Sequence, residues 1–541
     1  MKKTILTCIL VITLIFSSVN VFADVNYVIK KPDAVFALDG DAFDYFPAYD
    51  INGNNYIPVN VMAGFFGFQA FFDENEPSVI QLLESSSSYS EETVLKMVEF
   101  AENENRSVLP SPQKLYYNNE PINVQLLNID GYNFISLEDA AEIFGVDIYT
   151  DEDTKTFNII TVDDPLASAS SEELKPYIDY LKNNVIHMDI KSAGNDDVFK
   201  EAGLDDYNIY LVGEHHAIAK NYDIQLYMIK YLNKHQGVKH IISEIGYCDA
   251  QLLNKYLEAG DSSILENLMN NLKGTFSYTK ELKGFYEGLY EYNKTLKDGE
   301  KLTVIGIDLQ HQTITGIDYL LSLVPDASDI PEVIKNDVEA LNSAKEDKAH
   351  RADLLNSVLE STVKNEDTYK KFMPENYEHF KRGAKNIVQL FECSSSGDMF
   401  MKVREEKIIE NFMYQYEEIN GSKCFGMFGG FHTILNARPH DGNGEYNFAT
   451  YINDVYDKTK NKVASATVNY YECSYMDKDT GEGVKVPYAT IEKILAETTE
   501  NDFAFFPLAK KDSIFTQDGS TGSQQFLLLI KNSQHAAMYG K

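Results

Sequence analysis

Four short apolar runs between residues 207 and 432 each finish in ionisable side chains, and helix-like segments separate them. A strand that must be followed by a helix before the next strand begins marks a sheet with helical cover. The spacing therefore favours an α/β fold with a mainly parallel sheet flanked by helices. Tyr207–Val212 runs directly into Gly213-Glu214-His215-His216. Ile224, Tyr227, Met228 and Tyr231 then recur at helical spacing up to Gly237, after which Val238–Ser243 delivers Glu244. Glu214 and Glu244 are about thirty residues apart, the length of one βαβ unit. Such a crossover returns the chain in the same direction, so both carboxylates emerge at the end of the sheet where open α/β folds build sites. Lys301–Ile307 leads likewise to Asp308, Gln310 and His311, and Lys423–Phe428 to Gly429-Gly430-Phe431-His432.

Taken singly, each polar residue is an ordinary helix cap or core hydrogen-bonder. Four strands ending this way point to one cleft, with Glu214, His215, His216, Glu244 and His432 as the catalytic candidates. An imidazole that is neutral near pH 7 suits the removal of a proton from water. That role is assigned to His216, with His215 second, because neighbours at a strand end point in different directions. Glu214 and Glu244 would orient the imidazole or share the proton, and two carboxylates in one cleft should lift at least one pKa. His432 would stabilise an oxyanion or protonate the leaving group. Neither a GxSxG elbow nor an HExxH helix occurs, which argues against the common serine hydrolases and zinc proteases.

The rest of the chain bounds the setting. Lys2 and Lys3, the apolar run Ile5–Phe16 and Val21-Phe22-Ala23 read as a signal peptide over residues 1–23. The apolar run is too short to span a bilayer, so a secreted or cell-surface location without a membrane span is expected. The net charge of −35 repels phosphate backbones and anionic lipid, which excludes nucleic acid as a partner. Past the leader, Cys248, Cys393, Cys424 and Cys473 stand far apart without a CxxC pair, leaving one disulfide or buried free thiols as the alternatives. The length suits two to four domains. Residues 24–163 contain a repeat: Ile51-Asn52-Gly53 returns as Ile129-Asp130-Gly131, and Asn55, Ile57, Ala63 and Phe66-Gly67 match Asn133, Ile135, Ala141 and Phe144-Gly145. Each unit reads as a hairpin turn, a strand, a helix ending at glycine and a second strand, a small α+β domain. Ser85–Arg106 reads as an insertion within it and residues 164–176 as the linker to the domain at 177–541, in which about 330–400 form a helical insertion.

The repeat resembles the copper amine oxidase N-terminal-like domain, a stalk module of exported bacterial proteins. The resemblance implies a spacer with cell-wall association, and with no ligand cluster present it does not imply copper. Residues 172–541 resemble the erythromycin esterase family and its Tiki/ChaN relatives. The matching segments are Leu211-Val212-Gly213-Glu214-His215-His216, then Glu244, then Asn254, Tyr256, Leu257 and Gly260. Gly306-Ile307-Asp308-Leu309-Gln310, then Arg404, Ile408 and Asn411, and finally His432 complete the series. His216 follows Glu214 by two positions, a spacing closer to the Tiki/ChaN side. The resemblance implies hydrolysis of an ester or related acyl bond in a small-molecule or peptide substrate, with Arg404, Asp308 and Gln310 on the substrate side. No cofactor is expected. The relatives leave open a divalent transition metal on Glu214, His216, Glu244 and His432, as in a Tiki-like metallopeptidase, or ChaN-like haem or iron binding without catalysis.

Overall fold

A computed structural model describes residues 27–540 apart from 31, 33–34, 39–40, 44–46, 66–67, 73–77, 85–96, 98–105, 118–119, 145–146, 152–155, 161–170, 193–196, 437–445, 487, 489, 511–512 and 518. The expected signal peptide lies outside the described residues, as do most of Ser85–Arg106 and residues 164–170 of the expected linker. Residues 171–176 of that expected linker form the opening of helix α1, Ser171–Asn184. The chain forms two compact units, the bulk of one being Asp44–Leu83 with Tyr89–Ile148 and the bulk of the other Tyr149–Lys541.

In the first unit two hairpins are built alike. Asn52 and Gly53 (φ 56° and 89°) join Tyr49–Ile51 to Asn54–Pro58, and Asp130 and Gly131 (φ 47° and 97°) join Leu127–Ile129 to Tyr132–Ser136. Both central residues of such a two-residue turn must be left-handed, which is why Asn-Gly and Asp-Gly stand there. Each second strand enters a helix, Val59–Phe65 or Leu137–Phe144. The two second strands pair antiparallel with Ile57 opposite Ile135. Tyr49, Ile51, Leu127, Ile129 and Phe134 close the core beneath them.

The second unit is built on an eight-stranded sheet. Its strands are β1 (Ile186–His187), β2 (Ile209–Glu214), β3 (His240–Gly246), β4 (Thr303–Asp308), β5 (Cys424–Gly429), β6 (Val463–Tyr471), β7 (Phe503–Pro507) and β8 (Phe526–Lys531). They lie in the order β1-β7-β8-β6-β2-β5-β3-β4. The pairs β8/β6, β6/β2, β2/β5, β5/β3 and β3/β4 are parallel, and β1/β7 and β7/β8 antiparallel. Continuous apolar runs such as Ile209–Val212 are buried throughout, as strands covered on both faces must be. The first four functional strands start one or two residues later than their apolar runs. At β3 the cause is local: helix α2, Ala219–Gln236, ends on left-handed Gly237, and the N–H of Val238 bonds back to Leu232 O at 3.2 Å instead of joining the ladder.

Helices α3 (Tyr247–Ala259), α4 (Ser262–Asn271), α5 (Lys280–Thr295) and α6 (Thr313–Leu323) follow β3 and β4. Between β4 and β5 lie α7 (Glu332–Glu346), α8 (Arg351–Lys364), α9 (Glu366–Phe372), α10 (Tyr377–Ser395) and α11 (Phe400–Glu418). Ile334, Leu341, Leu355, Val358, Tyr369 and Phe380 give the helices of this stretch a core of their own. Asn386 of α10 ties that core to the sheet, donating to Asp308 O at 2.9 Å and accepting from the Tyr247 N–H at 2.7 Å. The four cysteines are buried free thiols, and no helix among the described residues is long and apolar enough to cross a membrane.

Candidate active site

Strands β2, β3 and β5 are neighbours in register, with Glu214 opposite Gly429 and Ile242 opposite Gly426. That register brings Glu214, His216, Glu244 and His432 to one end of the sheet. His216 Nδ1 lies 2.8 Å from Glu214 Oε1. The other oxygen of Glu214 accepts from the Asn221 amide, which also donates to His215 O at 2.7 Å. Asn221 is itself fixed by Tyr470, whose hydroxyl donates to it at 2.9 Å and accepts from the His215 N–H at 3.1 Å. Glu214 can therefore neither rotate nor leave its imidazole. His216 is 45 % exposed although protein crowds it on most sides; it lies in a recess that solvent enters. The His215 ring lies instead against Tyr475, with centroids 4.6 Å apart.

Glu244 sits between two cationic groups and a backbone N–H. Arg404 Nη2 is 2.7 Å from its Oε1 and His432 Nε2 3.4 Å, while its Oε2 accepts from the Gly429 N–H at 3.2 Å. Behind His432, Nδ1 stands 2.5 Å from Glu405 Oε1, a charge contact outside hydrogen-bond geometry. Glu405 is buried and its Oε2 accepts from the Phe448 N–H at 2.8 Å. Arg404 also grips Asp308 through Nε at 3.0 Å and Nη2 at 2.7 Å.

The charges follow from these neighbours. Burial alone would lower His216, but the hydrogen bond and charge of Glu214, with Glu244 behind, raise it to about 9. His432 goes up to about 10, as Glu244 and Glu405 outweigh burial. Glu244, which burial would raise, is driven far below the ordinary carboxylate range by His432, His216 and Arg404. One expectation is thereby corrected: His216 is not neutral at pH 7, since a carboxylate on its Nδ1 retains the proton. Of the upward shift expected for at least one of the two carboxylates, Glu244 shows the opposite, since cations dominate its surroundings.

Gln310 is fully buried, and its Oε1 caps α3 by accepting from the N–H groups of Cys248 (3.0 Å) and Asp249 (3.4 Å). Asp308 is buried with both oxygens on Arg404. His311 and Arg404 offset the effect of burial and hold its carboxyl low. Arg404, 13 % exposed, braces Glu244 against Asp308. All three are engaged by protein partners. His432 is likewise enclosed by Glu244 and Glu405. The same engagement speaks against the alternative metal set. Glu214 is taken by His216 Nδ1, Glu244 by Arg404, and His432 by two carboxylates. Among the described residues no group of three or more His, Cys, Asp or Glu is placed to hold a metal ion.

The loop that carries His216 is held under strain. Ala217 has φ 62°, costly for a residue with a Cβ. Its carbonyl accepts from two remote N–H groups, Met476 at 3.1 Å and Ala536 at 2.8 Å. Residues 533–539 continue across the loop: Ser533 Oγ accepts from the Lys220 N–H, Gln534 O from the Ala219 N–H and Ala537 O from the Lys280 N–H.

No protein-family model matches the sequence, and no curated protein matches it. Solved structures do resemble it. A Bacillus cereus protein superposes with a TM-score of 0.51 at 16 % identity, over 67 % of this chain and 98 % of that one. A succinoglycan biosynthesis protein gives 0.50 at 14 %, over 68 % and 100 %. An erythromycin esterase variant in its open conformation gives 0.45 at 14 %, over 62 % and 93 %. The first two show that the α/β fold is a shared one.

Proposed function

We propose that the chain is an exported hydrolase of the erythromycin esterase-like kind that directs water at an ester or related acyl bond. The observation that carries the reading is the orientation of His216: Nδ1 rests on an immobilised carboxylate while Nε2 lies on the side of Gly429 and Glu244. A Cβ placed on Gly429 would stand 3.1 Å from His216 Nε2 and 3.9 Å from Glu244 Oε2, so glycine lets the imidazole and the carboxylate approach this strand end with no side chain between them. Water held there loses a proton to the neutral form of His216 as its oxygen bonds to the acyl carbon. Glu214 stabilises the imidazolium, the bond to the leaving alcohol breaks, and His216 returns the proton to that oxygen. Arg404, Asp308, His432 and Glu405 hold Glu244 in place. The unit before residue 149 serves as a wall-proximal spacer of the copper amine oxidase N-terminal-like kind, and residues 1–23 as the export signal, placing the protein at the cell surface or outside it.

The test is turnover of small aryl esters by the mature chain between pH 6 and 10, with and without a chelator. Turnover that survives chelation supports the reading. No turnover above the buffer rate, or turnover lost to chelator and restored by zinc, overturns it, the latter in favour of a metallopeptidase. Gly429→Ala should lower kcat/KM by about 10–100-fold through displacement of the imidazole. Its melting temperature should change little, because the half-exposed ring can move aside. Unchanged turnover would mean that nothing needs to fit between His216 and Glu244.

A further inference from the structure

His216 is followed at once by Ala217, so the backbone at Ala217 sets how the chain leaves the imidazole. Its left-handed conformation (φ 62°) presses the Cβ on the neighbouring carbonyl and persists only where surrounding structure enforces it. Two remote segments converge on the same atom to do so, the N–H groups of Met476 and Ala536 both donating to Ala217 O, at 3.1 and 2.8 Å.

Each donor belongs to a built element. Met476 ends the first strand of a hairpin, Ser474–Met476 paired antiparallel with Gly483–Lys485. Ala536 lies in a strap, residues 533–539, that runs antiparallel to the loop through the bridge between Ile218 and His535. Hairpin and strap also hold one another. The Ser474 N–H donates to Ser533 O at 2.9 Å, and the His535 N–H to Ser474 Oγ at 2.9 Å. A Cβ on Gly483 would stand 2.3 Å from His535 Nδ1, so glycine lets the two close together on the loop.

The strap then crosses to the start of α5. There Lys280 N–H donates to Ala537 O at 2.8 Å, Ala537 N–H to Glu281 Oε2 at 2.8 Å and Tyr539 N–H to Tyr278 O at 2.9 Å. Met538 bridges to Thr279. The Tyr539 ring meets Tyr278 edge-on with centroids 5.4 Å apart, and its hydroxyl donates to Glu266 of α4. One segment thus spans from the imidazole loop to the connection between α4 and α5.

We infer that the strap and the hairpin form a positioning clamp: by holding Ala217 left-handed they keep His216 Nδ1 on Glu214. The catalytic meaning of the clamp rests on the hydrolase reading, whereas the position of the ring is measured without turnover. The charged groups acting on that ring are Glu214, Glu244 and His432. None belongs to the clamp, so the clamp alters the titration of His216 only by moving it.

The test is proton NMR titration of the histidines in the full mature chain, with His216 assigned by its loss in His216→Ala. The native midpoint is expected at about 9. Ala536→Pro removes one of the two donors, and the midpoint should fall by about 1–2 pH units toward the ordinary histidine value. Adding Ala217→Gly should reverse most of that fall, because glycine adopts a positive φ without support. Glu281→Ala loosens the strap at α5 and leaves the cleft residues in place. It should give a smaller fall in the same direction, and it carries the test if the proline variant does not fold. A midpoint unmoved in the folded variants overturns the inference, as does a fall that Ala217→Gly fails to reverse. Clamp-dependent titration in a native chain without ester turnover keeps the clamp and sinks the hydrolase. Turnover in a chain whose His216 ignores both strap variants does the reverse.

Discussion

Arg404→Ala should destabilise the second unit by about 3–5 kcal/mol, the usual consequence of stripping one partner from a buried ion pair. Asp308, its side chain 2 % exposed, would be left with an unpaired carboxylate beside Glu244. The two acids would then repel one another across the gap the guanidinium fills. Arg404→Lys should rescue only part of the loss. An ammonium cannot bond Asp308 through two nitrogens and reach Glu244 through one of them, as the planar fork does. Urea denaturation of the three chains checks this. A loss below about 1 kcal/mol, the range of a solvated surface pair, would show that water replaces the guanidinium and that the brace is not needed.

The second large effect concerns pH. With His216 raised to about 9, only roughly one imidazole in a hundred is free to accept a proton at pH 7. kcat/KM should therefore climb about tenfold per pH unit below 9 and level off above it. Glu214→Gln preserves a hydrogen bond to Nδ1 and removes the charge. The bend of the profile should then move from about 9 toward the ordinary histidine value of 6.5, and the plateau should fall. His216→Ala should lower the plateau by about 10²–10⁴-fold. A profile that still bends near 9 in Glu214→Gln would assign that titration to another group, and unchanged turnover in His216→Ala would remove the proton-handling pair from the mechanism.

The α/β class is legible in the sequence because strand ends announce themselves: an apolar run followed by Gly-Glu-His-His or Gly-Gly-Phe-His has few other uses. Glu214, Glu244 and His432 stand out for that reason. Asn221 and Glu405 do not, since each lies within a polar-looking helical stretch and acquires its role only from what faces it across the fold. Tyr470 is hidden in an apolar strand, where a tyrosine reads as core. The charge state of His216 was also out of reach, because residue identity supplies the imidazole while spacing alone does not say that its nearest neighbour in space is the carboxylate two positions back. Gln310 shows the converse: a polar residue in the right place along the chain, spent on the first turn of a helix.

The loop that presents His216 is fastened by residues 313 positions away, counted from Lys220 to Ser533. Contacts of such separation close late, after the entropy of a long intervening loop has been overcome. The sheet is itself closed by a pair of like separation, Ile186 opposite Phe505, so refolding should yield a competent imidazole only with the completed sheet. A fragment carrying residues 171–430 would own nearly every acid and base of the cleft and still lack the geometry to use them.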